Sequence, residues 1–148
     1  MAKRVFDVVV ALLALLVFAL PMLLIALAIR FDSPGPVLFR QQRVGQGSQP
    51  FRIHKFRTMV ADAPERGPAL TVGDDPRITR VGAWLRRSKL DELPQLIDVL
   101  AGDMSLVGPR PELPQYVARY PLALRDQVLA LKPGITDPAS LDFADESE

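Results

Sequence analysis

The sequence predicts an α+β fold, mostly helical, in which an apolar membrane helix leads into a small helical domain with a short β-hairpin. Three observations predict it. The chain opens with an apolar run, Val8 to Ile29, that carries no formal charge. As a helix it would be roughly 33 Å long, about one hydrocarbon core. Two short alternating stretches then flank a glycine-containing turn, and the remainder shows apolar residues at helical spacing, punctuated by Pro and Gly. With 148 residues, the chain has room for one domain beside the membrane element.

Composition removes several chemistries. The absence of cysteine excludes disulfides, thiolate metal sites and Cys nucleophiles, and fits a reducing compartment. Net charge is only +1, but it is unevenly spread. Arg30, Arg40, Arg43, Arg52, Lys55 and Arg57 form one basic run, Arg77, Arg80, Arg86, Arg87 and Lys89 another, and acids dominate the last residues. The basic half suits an anionic lipid surface or a phosphate ligand. It does not suit nucleic acid, because no nucleic-acid motif is present and the few aromatics do not interleave with the basic clusters.

The apolar run admits two forms. Pro21 lies inside it, where it removes a backbone hydrogen bond. Lys3 and Arg4 precede it and Arg30 follows, so the positive-inside rule puts both ends on the cytoplasmic face. A bent, re-entrant helix satisfies both flanks, and a straight span does not. Spanning helices tolerate proline too, so these residues leave both forms open. No small-residue cleavage site follows, which disfavours a signal peptide. Asp7 lies one turn from Arg4, close enough to pair with it unless both are solvated.

Downstream, Ser33-Pro34-Gly35-Pro36 stops the helix. Val37-Leu38-Phe39 and Phe51 to Phe56 read as the two strands of a hairpin lying at the membrane surface, and Gly45 to Ser48 as its turn. Residues 61–75 read as an exposed loop. Val81 to Arg87 reads as a short helix with Trp84 and Leu85. Leu93, Leu96, Ile97 and Leu100 follow helical spacing and should be core, and another amphipathic helix is expected between Pro111 and Leu131 with Tyr116, Val117, Tyr120, Leu124, Val128 and Leu131 on its apolar side.

The chemistry concentrates at Lys89-Leu90-Asp91-Glu92-Leu93-Pro94-Gln95. Pro94 belongs in the first turn of a helix, which places Asp91 at or beside the N-cap of a helix reaching about Leu100. Asp is a preferred N-cap, so capping alone is the commoner explanation of such a residue. Its neighbours add a phosphate-handling set. Arg86 and Ser88 lie just upstream, and Arg110 is held between Pro109 and Pro111. Asp91 and Glu92 offer two carboxylates, the number Mg²⁺ uses together with substrate phosphates. A carboxylate can also attack phosphorus and form an acyl phosphate. Lys55 and Arg57 are further candidates for phosphate contact. The lone His54 has no partner at metal-ligand spacing, so a surface or strand role is expected.

Several segments together resemble the bacterial sugar transferases, specifically the small monotopic phosphoglycosyl transferases. They are Lys3-Arg4 with Asp7, Ser33 to Phe39 with Gln41 and Arg43, Lys55 to Met59, Asp75 to Gly82, Leu90 to Leu96, Gly102 to Pro111 and Lys132 to Thr136. They cover nearly the whole chain in order.

The resemblance implies a re-entrant membrane helix over 1–31 and a cytoplasmic catalytic domain over 32–148 on the bacterial inner membrane. It implies transfer of a phosphosugar from a UDP-sugar to a polyprenol phosphate such as undecaprenyl phosphate. UMP is released in two Mg²⁺-dependent steps at the head of glycan assembly. Asp91 would be the nucleophile, Glu92 its partner, both metal ligands, and Pro109-Arg110-Pro111 would contact the nucleotide. The lipid bilayer is an implied partner, and a homodimer is allowed.

The chain departs from the family's pattern at Leu20, where a Ser is common, and at Asp137 to Leu141. Relatives usually continue beyond Glu148 through further amphipathic helices, so a shortened C-terminal part is expected. Two other readings use the same residues: an anionic-lipid-binding module that needs no carboxylate pair, and an Mg²⁺-dependent phosphohydrolase that passes the phosphoryl group to water.

Overall fold

The computed structural model describes residues 1–137. Residues 138–148 lie outside the described residues, and with them the acidic end and most of the departure that follows Asp137.

The apolar run forms one long helix, α1, Ala2–Asp32, with Pro21 inside it. It buries a single stripe, Asp7, Ala11, Ile25 and Ile29, at helical spacing. Between the two halves of that stripe, Leu16, Val17, Phe18, Leu20 and Pro21 are exposed. The proline therefore sits on an exposed stretch of α1.

The hairpin pairs β1, Leu38–Val44, with β2, Pro50–Phe56, in antiparallel register from Leu38 opposite Phe56 to Val44 opposite Pro50. Its turn carries Gly47 and Ser48 in the left-handed region. Strand β2 supplies the centre of both cores. Phe51 and Ile53 pack with Ala11 of α1 and with Leu96, Val99 and Met104. Phe56 packs with Ile25 and Ile29 of α1 and with Leu85. Each such apolar side chain stabilises the fold by roughly 1.5–3 kcal/mol.

Next come one helical turn, α2, Ala63–Arg66, and helix α3, Arg80–Ser88. The Thr79 hydroxyl accepts from the Gly82 N–H at 2.9 Å and caps α3. The stretch expected to be an exposed loop is mostly exposed, and Arg77 fastens it. Its guanidinium donates to Asp75 and to the carbonyls of Ala63 and Pro68. That guanidinium holds the Asp75 carboxyl at about 2.

Lys89, in the left-handed conformation at φ 59°, turns the chain into a 3-10 turn, Leu90–Glu92. Helix α4, Gln95–Ala101, follows. Strand β3, Ser105–Val107, pairs in parallel with β4, Gly134–Thr136. Between them lie α5, Pro114–Val117, and α6, Leu122–Leu129.

Four expectations need correction. Ile97 is 39% exposed and Val99 is fully buried, because α4 is short and turns its Gln95, Leu96, Asp98 and Val99 face inward. The helix expected between Pro111 and Leu131 is two pieces. Pro121 has no N–H and disfavours helix at the residue before it, and Leu124 and Leu131 are exposed. Asp7 pairs with Lys3 at 3.3 Å and accepts from the Ser105 hydroxyl at 2.7 Å, not from Arg4. Arg4 instead donates to the Val99 and Leu100 carbonyls at the end of α4.

Both ends of α1 thus rest on the same small body. The first turns contact α4 and β3. At the other end, Asp32 accepts from the Val81 N–H at 3.1 Å. Arg57 donates to the carbonyls of Ser33, Pro34 and Pro36 and staples the turn that follows α1.

Candidate active site

Asp91 is not the N-cap of α4. That position is Pro94, and Asp91 lies in the 3-10 turn before it. The reason is local. Lys89 breaks the preceding helix, and three-residue bonds from Leu93 to the Leu90 carbonyl and from Leu96 to the Leu93 carbonyl bridge to α4.

This turn presents two adjacent carboxylates to β2. Lys55 of β2 places Nζ 3.3 Å from Glu92 Oε1 and 3.7 Å from Asp91 Oδ2. Arg110 Nη2 approaches the same Glu92 Oε1 to 3.6 Å, with half of its side chain exposed. Asp91, Glu92, Lys55 and Arg110 are therefore brought together. Pro111 joins Lys55, Glu92 and Arg110 in a cleft that Arg43, Ile53 and Gln95 help to line, and Asp91 lies beside that cleft, reached by Lys55.

The other expected residues stand around or away from this group. Pro109 lies with Arg110 along a second, more apolar hollow lined by Val44, Val117 and Tyr120. Arg86 donates to the Thr58 and Thr71 hydroxyls at 2.9 and 3.2 Å, and its charge still reaches Asp91. The structure does not bring Ser88 or Arg57 to the carboxylates. The Ser88 hydroxyl donates to the Trp84 and Leu85 carbonyls of its own helix. The Arg57 donors go to the turn after α1.

Sequence reasoning missed two participants nearby. Arg43 lines the cleft although no role was expected of it. His54 pairs through Nδ1 with Asp98 Oδ1 at 2.7 Å, and its backbone N–H donates to Asp98 Oδ2 at 2.9 Å. That pair locks β2 onto α4 and fits the strand role expected of His54. Its signal was out of reach because the partners are distant in sequence. Among the described residues, no group of three or more His, Cys, Asp or Glu side chains forms a metal cage.

Electrostatics set Asp91 apart. Its burial pushes the carboxyl above the usual carboxylate range and Glu92 adds to this, while Lys55 and Arg86 pull it back. Burial, and not a position at the end of a helix, is the largest influence on this carboxyl. A raised pKa means that ionising Asp91 costs the fold stability. The cost is absent below the ordinary carboxylate pKa and appears as pH rises through the folded value. Asp91→Asn is expected to raise the thermal midpoint in detergent at neutral pH, with the advantage gone below about pH 4. A lower midpoint at neutral pH would mean that pairing with Lys55 outweighs burial.

Residues 1–147 match the bacterial sugar transferase family. The chain is 53% identical, over an alignment of 131 residues, to the UDP-glucose:undecaprenyl-phosphate glucose-1-phosphate transferase of Caulobacter vibrioides, covering 80% of this chain and 48% of that protein. It is 55% identical over 109 residues to an exopolysaccharide production protein of Rhizobium leguminosarum bv. phaseoli, covering 73% of this chain and 54% of the relative. A transferase of Escherichia coli K12 with the same name as the Caulobacter protein is 43% identical over 142 residues, covering 95% of this chain and 31% of the relative. The chain spans about half the length of the first two relatives and less than a third of the last. With family motifs in order along the chain and a match over residues 1–147, this chain belongs to the bacterial sugar transferase family.

Proposed function

We propose that this chain transfers a phosphosugar from a UDP-sugar to undecaprenyl phosphate, giving a polyprenyl-diphosphate sugar and UMP. The observation that carries this reading is the buried Asp91 beside Glu92, with Lys55 and Arg110 converging on the pair. The names of the Caulobacter and Escherichia relatives supply the substrate class.

An Asp91 carboxylate oxygen attacks the phosphorus that bears the sugar. A new O–P bond forms, the bridging P–O bond breaks, and its electron pair leaves with UMP. A phosphate oxygen of undecaprenyl phosphate then attacks the same phosphorus and frees Asp91. Lys55 and Arg110 lie where they counter charge on the transferring group and the leaving nucleotide. The apolar hollow beyond Arg110 suits the base of that nucleotide. Asp91 and Glu92 fit Mg²⁺ as two carboxylate ligands completed by substrate phosphate and water, not as a protein-only cage. The ion would neutralise diphosphate charge.

The enzyme is read as monotopic, with its domain on the cytoplasmic face of the bacterial inner membrane and α1 re-entrant. The support is the buried stripe. A helix of about 46 Å that spans the bilayer cannot rest both ends on one small body, whereas a re-entrant helix can. The opposite face of α1, including Leu12, Leu13, Leu23 and Leu24, is left for lipid. With Ala2→Cys and Phe31→Cys in separate cysteine-free backgrounds, an impermeant thiol reagent should label both from the domain side. Labelling from opposite faces contradicts re-entry.

A panel of UDP-sugars, assayed for UMP release, tests the activity. Multiple turnovers are expected with one sugar and only when undecaprenyl phosphate is present. Asp91→Asn should abolish turnover and Glu92→Gln should reduce it by at least about 100-fold. Sustained UMP release without lipid acceptor would make the chain a phosphohydrolase, and no release with any sugar would leave only lipid binding.

A further inference from the structure

The segment bearing Arg110 has an unusual anchoring problem. Pro109 and Pro111 have no N–H groups, so the loop is held chiefly through its carbonyls. The Pro109 carbonyl accepts from the Gly134 N–H at 3.0 Å, and just before it the Gly108 N–H donates to the Thr136 carbonyl at 3.0 Å. These bonds fix the foot of the loop that joins β3 and β4. Glycine is required there, because a Cβ on Gly134 would lie 2.0 Å from the Gly108 nitrogen.

The far foot is held by β1. Arg43 Nη1 donates to the Pro111 carbonyl at 3.1 Å, and the next residue, Val44, donates its N–H to the Glu112 carbonyl at 3.0 Å. Arg43 is itself aimed by Gln41, whose Oε1 accepts from Nη2 at 2.7 Å. Its fork thus bridges the hairpin and the far end of the Arg110 loop. Between these two feet, the Arg110 N–H makes a long contact, 3.4 Å, to Asp137.

The placement is costly. The Arg43 Nε is buried with no partner. Burial, together with the neighbouring Arg110 charge, pulls the Arg43 guanidinium below its usual pKa. A neutral residue would avoid both costs, but it would not supply two divergent donors at fixed angles. Lysine would keep the charge and lose the planar fork.

We propose that Arg43 is a positioning residue, which fixes the Pro111 end of the loop so that Arg110 is presented to the nucleotide phosphates of the donor. The inference rests on the reading of Arg110 as a nucleotide contact. It assigns Arg43 no contact with substrate. Its effect is confined to the first half-reaction, where the UDP-sugar binds, and does not extend to the step in which lipid phosphate attacks the aspartyl intermediate.

A double-mutant cycle on the full chain in detergent tests this. Arg43→Lys should raise the KM for the UDP-sugar about tenfold, with kcat and the KM for undecaprenyl phosphate within about twofold of wild type. Gln41→Ala, which keeps the Arg43 charge and burial, should raise the same KM by a smaller factor and guards against a folding defect in the Arg43 variant. In an Arg110→Ala background, itself raised in KM, adding Arg43→Lys should change KM by less than about twofold. Equal effects on both substrates, or an undiminished Arg43→Lys effect in the Arg110→Ala background, would overturn the positioning role alone. An unchanged KM in Arg110→Ala would overturn the nucleotide contact, and the positioning role with it.

Discussion

The apolar seam between α1 and β2 is the constraint on which the rest of the molecule depends. Ala11 meets Phe51 and Ile53 in one core, and Ile25 and Ile29 meet Phe56 in the other. Removing any of these large side chains would leave a cavity costing roughly 2–5 kcal/mol, more than an exposed ion pair contributes. The seam ties a lipid-compatible helix to the strand that carries Lys55. Polar fastenings then finish what packing begins. Arg4, Asp7 and Ser105 hold the first turns of α1, and Arg57 and Asp32 hold its last. Lys55, Glu92 and Asp91 accordingly sit on elements whose position is fixed relative to the apolar helix.

That arrangement explains how two adjacent carboxylates come to face several cations. Lys55 is placed by the alternation of β2. Ile53 faces the core two residues earlier, and Phe56 and Arg57 anchor the residues that follow. His54, next along the strand, is clamped to Asp98 of α4. Glu92 takes contacts from Lys55 and Arg110, whereas Asp91 is the more buried, and burial pushes its carboxyl above the usual carboxylate range. A carboxylate buried at some expense to the fold is what a nucleophile requires, because few water contacts must be given up before it attacks.

Much of this was legible in the sequence where the signal was local. The apolar run, the two hairpin strands, the helix around Leu85 and the Asp91-Glu92 pair depend on neighbours within a few residues. Prolines were harder to weigh. Pro94 does lie at a helix start, but the 3-10 turn before it moves Asp91 off the cap, and Pro121 divides a helix that periodicity alone joins. Arginine was hardest. Arg57 and Arg110 are both candidates for phosphate contact in sequence, Arg110 the stronger for its flanking prolines, yet Arg57 finds three carbonyls in a folded turn and Arg110 stays half exposed at the cleft. Which carbonyls an arginine meets is a tertiary fact, as is the match between His54 and Asp98.

The proposed reaction turns on a covalent bond between Asp91 and the phosphosugar. The most direct measurement is intact and peptide mass analysis after the enzyme meets its UDP-sugar without lipid acceptor. The account predicts a mass increase of one phosphosugar, confined to the peptide containing Asp91, released by added undecaprenyl phosphate and missing in Asp91→Asn. No adduct, together with kinetics in which both substrates must bind before UMP leaves, would contradict it and assign direct transfer to the lipid.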